Sequence, residues 1–150
     1  MTGAVAEHAT RLVWVCTAMI ASVLIYGTIV YLVPPRLSVP IAQADTLLWV
    51  FVTAAALNAV TVTPVYRAML AGPKRVFAVS HEERPLLAAH FIASVVLFAR
   101  LEAIALLGLL LFFLTGQRTW FWAFAGVAAV GMLAQWPTRR RVTETLGLGT

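Results

Sequence analysis

Charge is what this chain has least of. Only 11% of its 150 residues are Asp, Glu, Lys or Arg, against about 25% in soluble domains. With 61% hydrophobic residues and a mean hydropathy of +0.90, too little polar side chain remains to cover a water-facing surface. A single cysteine, Cys16, excludes an internal disulfide and any metal site built from several thiolates, and reads as a buried apolar thiol. His8 reads as lying outside, and His81 and His90 near, the inner membrane face, so no two histidines are expected to face each other within the bilayer and haem ligation is not expected. The sequence has no His-Glu-x-x-His motif, phosphate loop or Ser-His-Asp set. The expectation is a non-enzymatic protein with no cofactor and no metal.

Long apolar runs are what the chain has in abundance. A hydrocarbon core of ~30 Å needs about 20 helical residues, and runs near that length lie at 12–33, 46–66, 91–114 and 120–136. In lipid the backbone must satisfy its own hydrogen bonds, which leaves helices as the spanning element. The chain therefore reads as an all-α membrane protein, one integral domain over 1–150, forming a four-transmembrane-helix bundle. Its connections are expected at 34–45, 67–84 and 115–119.

The net charge of +5 is distributed by side. Four spans put both termini and the middle connection together, and that side holds Arg11, Arg67, Lys74, Arg75, Arg84, Arg139, Arg140 and Arg141, against Arg36 and Arg118 opposite. This bias predicts both termini in the cytoplasm and the protein in the cell (inner) membrane, and it accounts for the basic residues without nucleic acid. Trp14, Tyr66 and Trp136 mark the inner interface, and Tyr31, Trp49, Trp120 and Trp122 the outer one. Within the middle connection, Gly72-Pro73 predicts a turn and Ser80 a cap for a short helix with Glu83 three residues on. Lys74 and Arg75 beside that turn are candidates for a lipid headgroup. Pro34, Pro35 and Pro40 stiffen the first outer connection.

Superposing Gly27 on Gly108 aligns Ser22-Val23-Leu24-Ile25-Tyr26-Gly27 with Ala103-Ile104-Ala105-Leu106-Leu107-Gly108, and the following helices end alike, Thr63-Pro64 then Arg67 against Trp136-Pro137 then Arg140. This pattern points to a parallel duplication of a two-helix hairpin. Small residues gather in the even helices, Ala54, Ala55, Ala56 and Ala59 in one and Ala125, Gly126, Ala128, Ala129 and Gly131 in the other. Such faces allow close helix packing inside the bundle or with a partner, either a second copy or another membrane-protein subunit.

One carboxylate, Glu102, interrupts the third apolar run. An ionisable group there costs ~2.5–3.5 kcal/mol on insertion scales and marks a functional or structural site. The candidate hydrogen-bond partners are Tyr26, Ser22, Asn58 and Gln135. Arg100, about 200° around the helix, cannot pair with it directly and is expected to snorkel to the inner interface. The run Glu102-Ala103-Ile104-Ala105 followed by Gly108 resembles the segment around the proton-carrying carboxylate of proteolipid (c) subunits of rotary ATPases, though there the carboxylate lies on the second helix of a hairpin. The second half, ending in Pro137, Arg139 and Arg140, also resembles a group of small uncharacterised prokaryotic four-helix membrane proteins. The first resemblance implies a proton or cation carrier using Glu102; the second implies no activity. The residues themselves favour a structural or accessory subunit of a membrane assembly, with the carrier as the alternative.

Overall fold

The computed structural model describes residues 2–34 and 41–147, and the regular structure there is entirely helical. The elements are α1 (Thr2–Leu32), α2 (Ile41–Ser80), α3 (Glu83–Thr115), α4 (Arg118–Ala134) and α5 (Arg139–Leu146). Three of them, α1, α2 and α3, are long and apolar enough to cross a membrane. The equally apolar α4 has 17 residues, short of the roughly 20 that a full hydrocarbon core asks for. Pro35, Arg36 and Pro40 of the first connection lie outside the described residues.

The helices α1, α2 and α3 are longer than the apolar runs alone predict, and α2 departs most. The sequence predicts a turn at Gly72-Pro73, yet the helix continues through both Pro64 and Pro73 to Ser80. Each proline removes one backbone hydrogen bond, but Leu70 and Phe77 share a face and both pack inward, Leu70 fully buried and Phe77 against a core cluster. Tertiary packing here overrides the local signal. At 1.5 Å per residue its 40 residues extend about 60 Å, roughly twice a hydrocarbon core. The capping box expected from Ser80 does not form: Ser80 Oγ accepts the Glu82 N–H at 3.3 Å, and Glu82 precedes α3 without a side-chain cap. His81, in the left-handed region at φ 55°, and Glu82 alone join the two helices.

The α3–α4 turn is as tight as expected. Gly116 takes φ 74° and donates its N–H to the Phe112 carbonyl at 2.7 Å. After Pro137, Thr138 caps α5 by accepting the Arg141 N–H at 3.2 Å. The sequence predicts only a basic exit there. In α5, however, Val142 and Leu146 are one turn apart and both buried, while Arg139, Arg140 and Arg141 are exposed.

α3 is the hub. α1, α2 and α4 each pack on it, α1 also meets α4 and α5, and α1 and α2 barely touch. α1 buries Val5, Ala9, Leu12, Cys16, Val23 and Val30, spaced by threes, fours and sevens, as one helical face requires. Contacts between His8 and His90 and between Ser22 and Glu102 show α1 running parallel to α3. Asn58 against Arg100 with Tyr66 against His90, and Phe124 against Gly108 with Gly131 against Leu101, show α2 and α4 antiparallel to it.

Gly27 and Gly108, the pair superposed in the sequence, both meet α4. A Cβ on Gly108 would stand 2.6 Å from the Phe124 Cβ, and one on Gly27 would stand 2.9 Å from the Trp122 ring. At Gly108 only glycine permits the approach, whereas at Gly27 the tip of the exposed Trp122 ring would have to shift. Among the small residues of α4, Ala125 and Ala128 are buried and Gly131 meets Leu101, but Gly126 is exposed. Of those of α2, Ala55 is buried, but Ala54, Ala56 and Ala59 are exposed. Ala56 and Ala59 line an apolar groove of about 280 Å³ between α2 and α4.

Two cores result. The larger runs along the apolar middle and includes Phe98, Ile104, Phe112, Phe121 and Met132. A smaller one, at the end that carries most of the basic residues, joins Val5, Ala9 and Leu12 of α1 to Leu86 and Leu87 of α3 and to Val142 and Leu146 of α5.

Candidate functional site

Three polar side chains of α3, His90, Arg100 and Glu102, each meet a neighbouring helix. Glu102, half-buried, accepts two hydrogen bonds from α1 on a single oxygen: Ser22 Oγ donates to Oε1 at 2.5 Å and Tyr26 Oη donates to the same atom at 2.7 Å. Ser22 and Tyr26 are one turn apart, which puts both hydroxyls on the face that α1 presents to α3. Glu102 Oε2 has no hydrogen bond among the described residues. Asn58 and Gln135, the other candidate partners, are elsewhere.

Asn58 belongs to Arg100. Its Nδ2 donates to the Arg100 carbonyl at 2.6 Å, and Arg100 Nε donates to Asn58 Oδ1 at 2.8 Å, forming a reciprocal clamp between α2 and α3. The guanidinium also donates to Thr61, through Nη2 to Oγ1 at 2.5 Å and through Nη1 to the carbonyl at 3.4 Å. Arg100 therefore does not reach for the interface as the sequence suggests. It folds against α2, where neutral acceptors take up its donors. Thr61 was not a sequence candidate, although its place one turn from Asn58 was the available signal.

The histidines form a contact not expected from the sequence. His8 and His90 meet, with His8 Nε2 and His90 Nδ1 2.9 Å apart and both residues buried. The repeat contained the signal, because the offset that superposes Gly27 on Gly108 carries His8 to Ala89, next to His90, and Ser22 to Ala103, next to Glu102. Beside His90 lies a cavity of about 90 Å³ that also reaches Tyr66, Ser94, Gln135 and Arg141. Gln135 is thus part of this basic-end cluster and not of the Glu102 group. Lys74 and Arg75 are both exposed on α2, and of the two Lys74 lines an adjoining recess.

Chemically, these groups are donors and acceptors joined across helices. Among the described residues no three His, Cys, Asp or Glu side chains gather as a metal site. No buried side-chain nitrogen or oxygen there lacks a partner. Compared with known proteins, the chain matches no family model, no curated protein and no solved structure.

Proposed function

We propose that the chain is a non-enzymatic polytopic membrane protein, a four-helix bundle built from a duplicated hairpin, serving as a structural or accessory subunit of a membrane assembly. Both termini lie in the cytoplasm on this reading, by the bias of its basic residues. The observation that carries the proposal is the disposition of the polar groups of α3: Glu102 engages α1 and Arg100 engages α2. Interhelical hydrogen bonds of this kind hold helices together where apolar burial gives no preference for protein over lipid. The exposed Ala56 and Ala59 of the α2–α4 groove offer a surface on which a further helix packs closely.

Cysteine crosslinking in native membranes tests this reading. Ala59→Cys in a Cys16→Ser background should crosslink to a second copy or to another membrane subunit, while Leu110→Cys, on an exposed part of α3, should not. A protein that remains uncrosslinked at Ala59, and monomeric after mild detergent extraction, would refute the subunit role.

A second reading rests on one atom. Both donors use Glu102 Oε1 and leave Oε2 without a partner among the described residues, so the carboxyl retains one oxygen for a proton or cation. As a carrier, the protein in liposomes should pass protons or cations, Glu102→Gln should abolish the flux, and a carbodiimide should modify Glu102. Liposomes with neither flux nor labelling would exclude it.

A further inference from the structure

We infer that the basic end of the helix cluster contains a binding site for a phosphate oxyanion, bounded by α2, α3, the end of α4 and α5. Two adjoining spaces form it. The inner is the cavity of about 90 Å³ beside His90. The outer, about 470 Å³, shares Tyr66, Leu97, Gln135 and Thr145 with it and adds Arg67 and Lys74.

The inner cavity is lined by groups that can donate. His90 is 4% exposed, and its Nδ1 is taken by His8 Nε2. Its other nitrogen, Nε2, has no hydrogen bond among the described residues, yet it is not sealed off as a buried orphan. When His8 Nε2 carries the proton and donates to His90 Nδ1, His90 Nε2 must carry its own proton and becomes a donor. Ser94, 6% exposed, and the Tyr66 hydroxyl stand beside it, and the Gln135 amide completes the lining. Arg141 supplies a cation held in place by its hydrogen bond to the Ala134 carbonyl at the end of α4.

Charge favours an anion. Arg67, Lys74 and Arg141 line the two spaces against one carboxylate, Glu144. That carboxylate is already engaged by Arg140 Nε at 2.7 Å. A phosphate offers several acceptor oxygens, and fixed cations with neutral donors around them match it. The site lies where the apolar run of α3 begins and the basic residues of α2 and α5 gather. That is headgroup level if the apolar helices span a bilayer, so the phosphate belongs either to a membrane lipid or to a soluble phosphate compound. This inference goes beyond the subunit reading and does not depend on the role of Glu102.

The test uses the full-length protein purified in a maltoside detergent, with thermal stability and native mass spectrometry as readouts. Inorganic phosphate, phosphatidylglycerol and diacylglycerol are added in separate titrations. Stabilisation and a bound adduct with phosphatidylglycerol alone would identify a lipid headgroup; a response to inorganic phosphate as well would identify a soluble phosphate ligand. Diacylglycerol should do nothing. Lys74→Gln, an exposed change, and Arg141→Gln should each weaken binding about tenfold, the loss expected for one charge-assisted hydrogen bond. Ser94→Ala should weaken it less while leaving α5 untouched. No response to either phosphate probe, or an unaltered response in Lys74→Gln and Ser94→Ala, would overturn the site.

Discussion

The Glu102 carboxylate and the Arg100 guanidinium stand two residues apart on α3 and do not pair: the first is bonded by Ser22 and Tyr26 of α1, the second by Asn58 and Thr61 of α2. At about 100° per residue they point to nearly opposite sides of the helix. Each of the two side chains therefore secures a different neighbour, and α3 becomes the element through which α1 and α2, which barely touch, are held in one structure.

Because Ser22 and Tyr26 donate to the same oxygen, their removals should not add. Ser22→Ala and Tyr26→Phe are each expected to cost about 0.6 kcal/mol, the average for interhelical bonds in membrane proteins. The double variant should cost more than the sum, since the surviving donor partly compensates in each single one. Glu102→Gln should keep most of the stability and Glu102→Leu should not. Unfolding in mixed micelles measures all of these, and strict additivity would show that the two hydroxyls act independently.

Asn58→Leu should be among the most damaging changes on α2. It leaves Arg100 Nε without its acceptor at a half-buried position, and an unsatisfied group of this kind costs about 1–3 kcal/mol. Arg100→Lys should also destabilise, because a single ammonium cannot reproduce the fork that reaches Asn58 and Thr61 together. If Asn58→Leu melted like the wild type, the clamp would carry no stability.

The glycines divide cleanly. A Cβ at Gly108 meets Phe124 at 2.6 Å, whereas one at Gly126 meets nothing within 4 Å. Gly108→Ala should therefore force α3 and α4 apart at a cost of about 1–3 kcal/mol. Gly126→Ala should be neutral or should stabilise by up to about 1 kcal/mol through helix propensity. Equal thermal shifts for the two would contradict the close α3–α4 approach.

The proposed topology rests on the distribution of basic residues. A reporter fused after Thr150 should be active only as a cytoplasmic reporter, and one inserted at Ser38 only as an external one, given eight basic residues on the first side against two on the other. The reverse pattern would invert the proposed orientation.

The helical class was legible in the sequence because apolar run length is a strong, local signal, as was the tight α3–α4 turn at Gly116. The extension of α2 was not, since Gly72-Pro73 reads as a turn unless it is known that Leu70 and Phe77 pack inward. α5 was hidden by its three arginines, although Val142 and Leu146 carried its inward face. Among the site residues, Glu102 is conspicuous to composition and Arg100 nearly so. Which partner each takes depends on helix rotation, and the apolar periodicity of α3 is too uniform to fix that. The His8–His90 contact could have been found by applying the repeat offset to the histidines.

The parallel course of α1 beside α3 has a mechanical consequence. α1 is fastened at His8 and again at Ser22 and Tyr26; at 1.5 Å per residue the anchor points His8 and Ser22 stand about 21 Å apart along its axis. A slide by one turn or a rotation about its own axis would break both fastenings at once. The register of α1 is therefore set at two points, and hinging outward from one end breaks one fastening where sliding breaks both. Cys16, between the fastenings and fully buried, stays shielded from thiol reagents until one of them lets go.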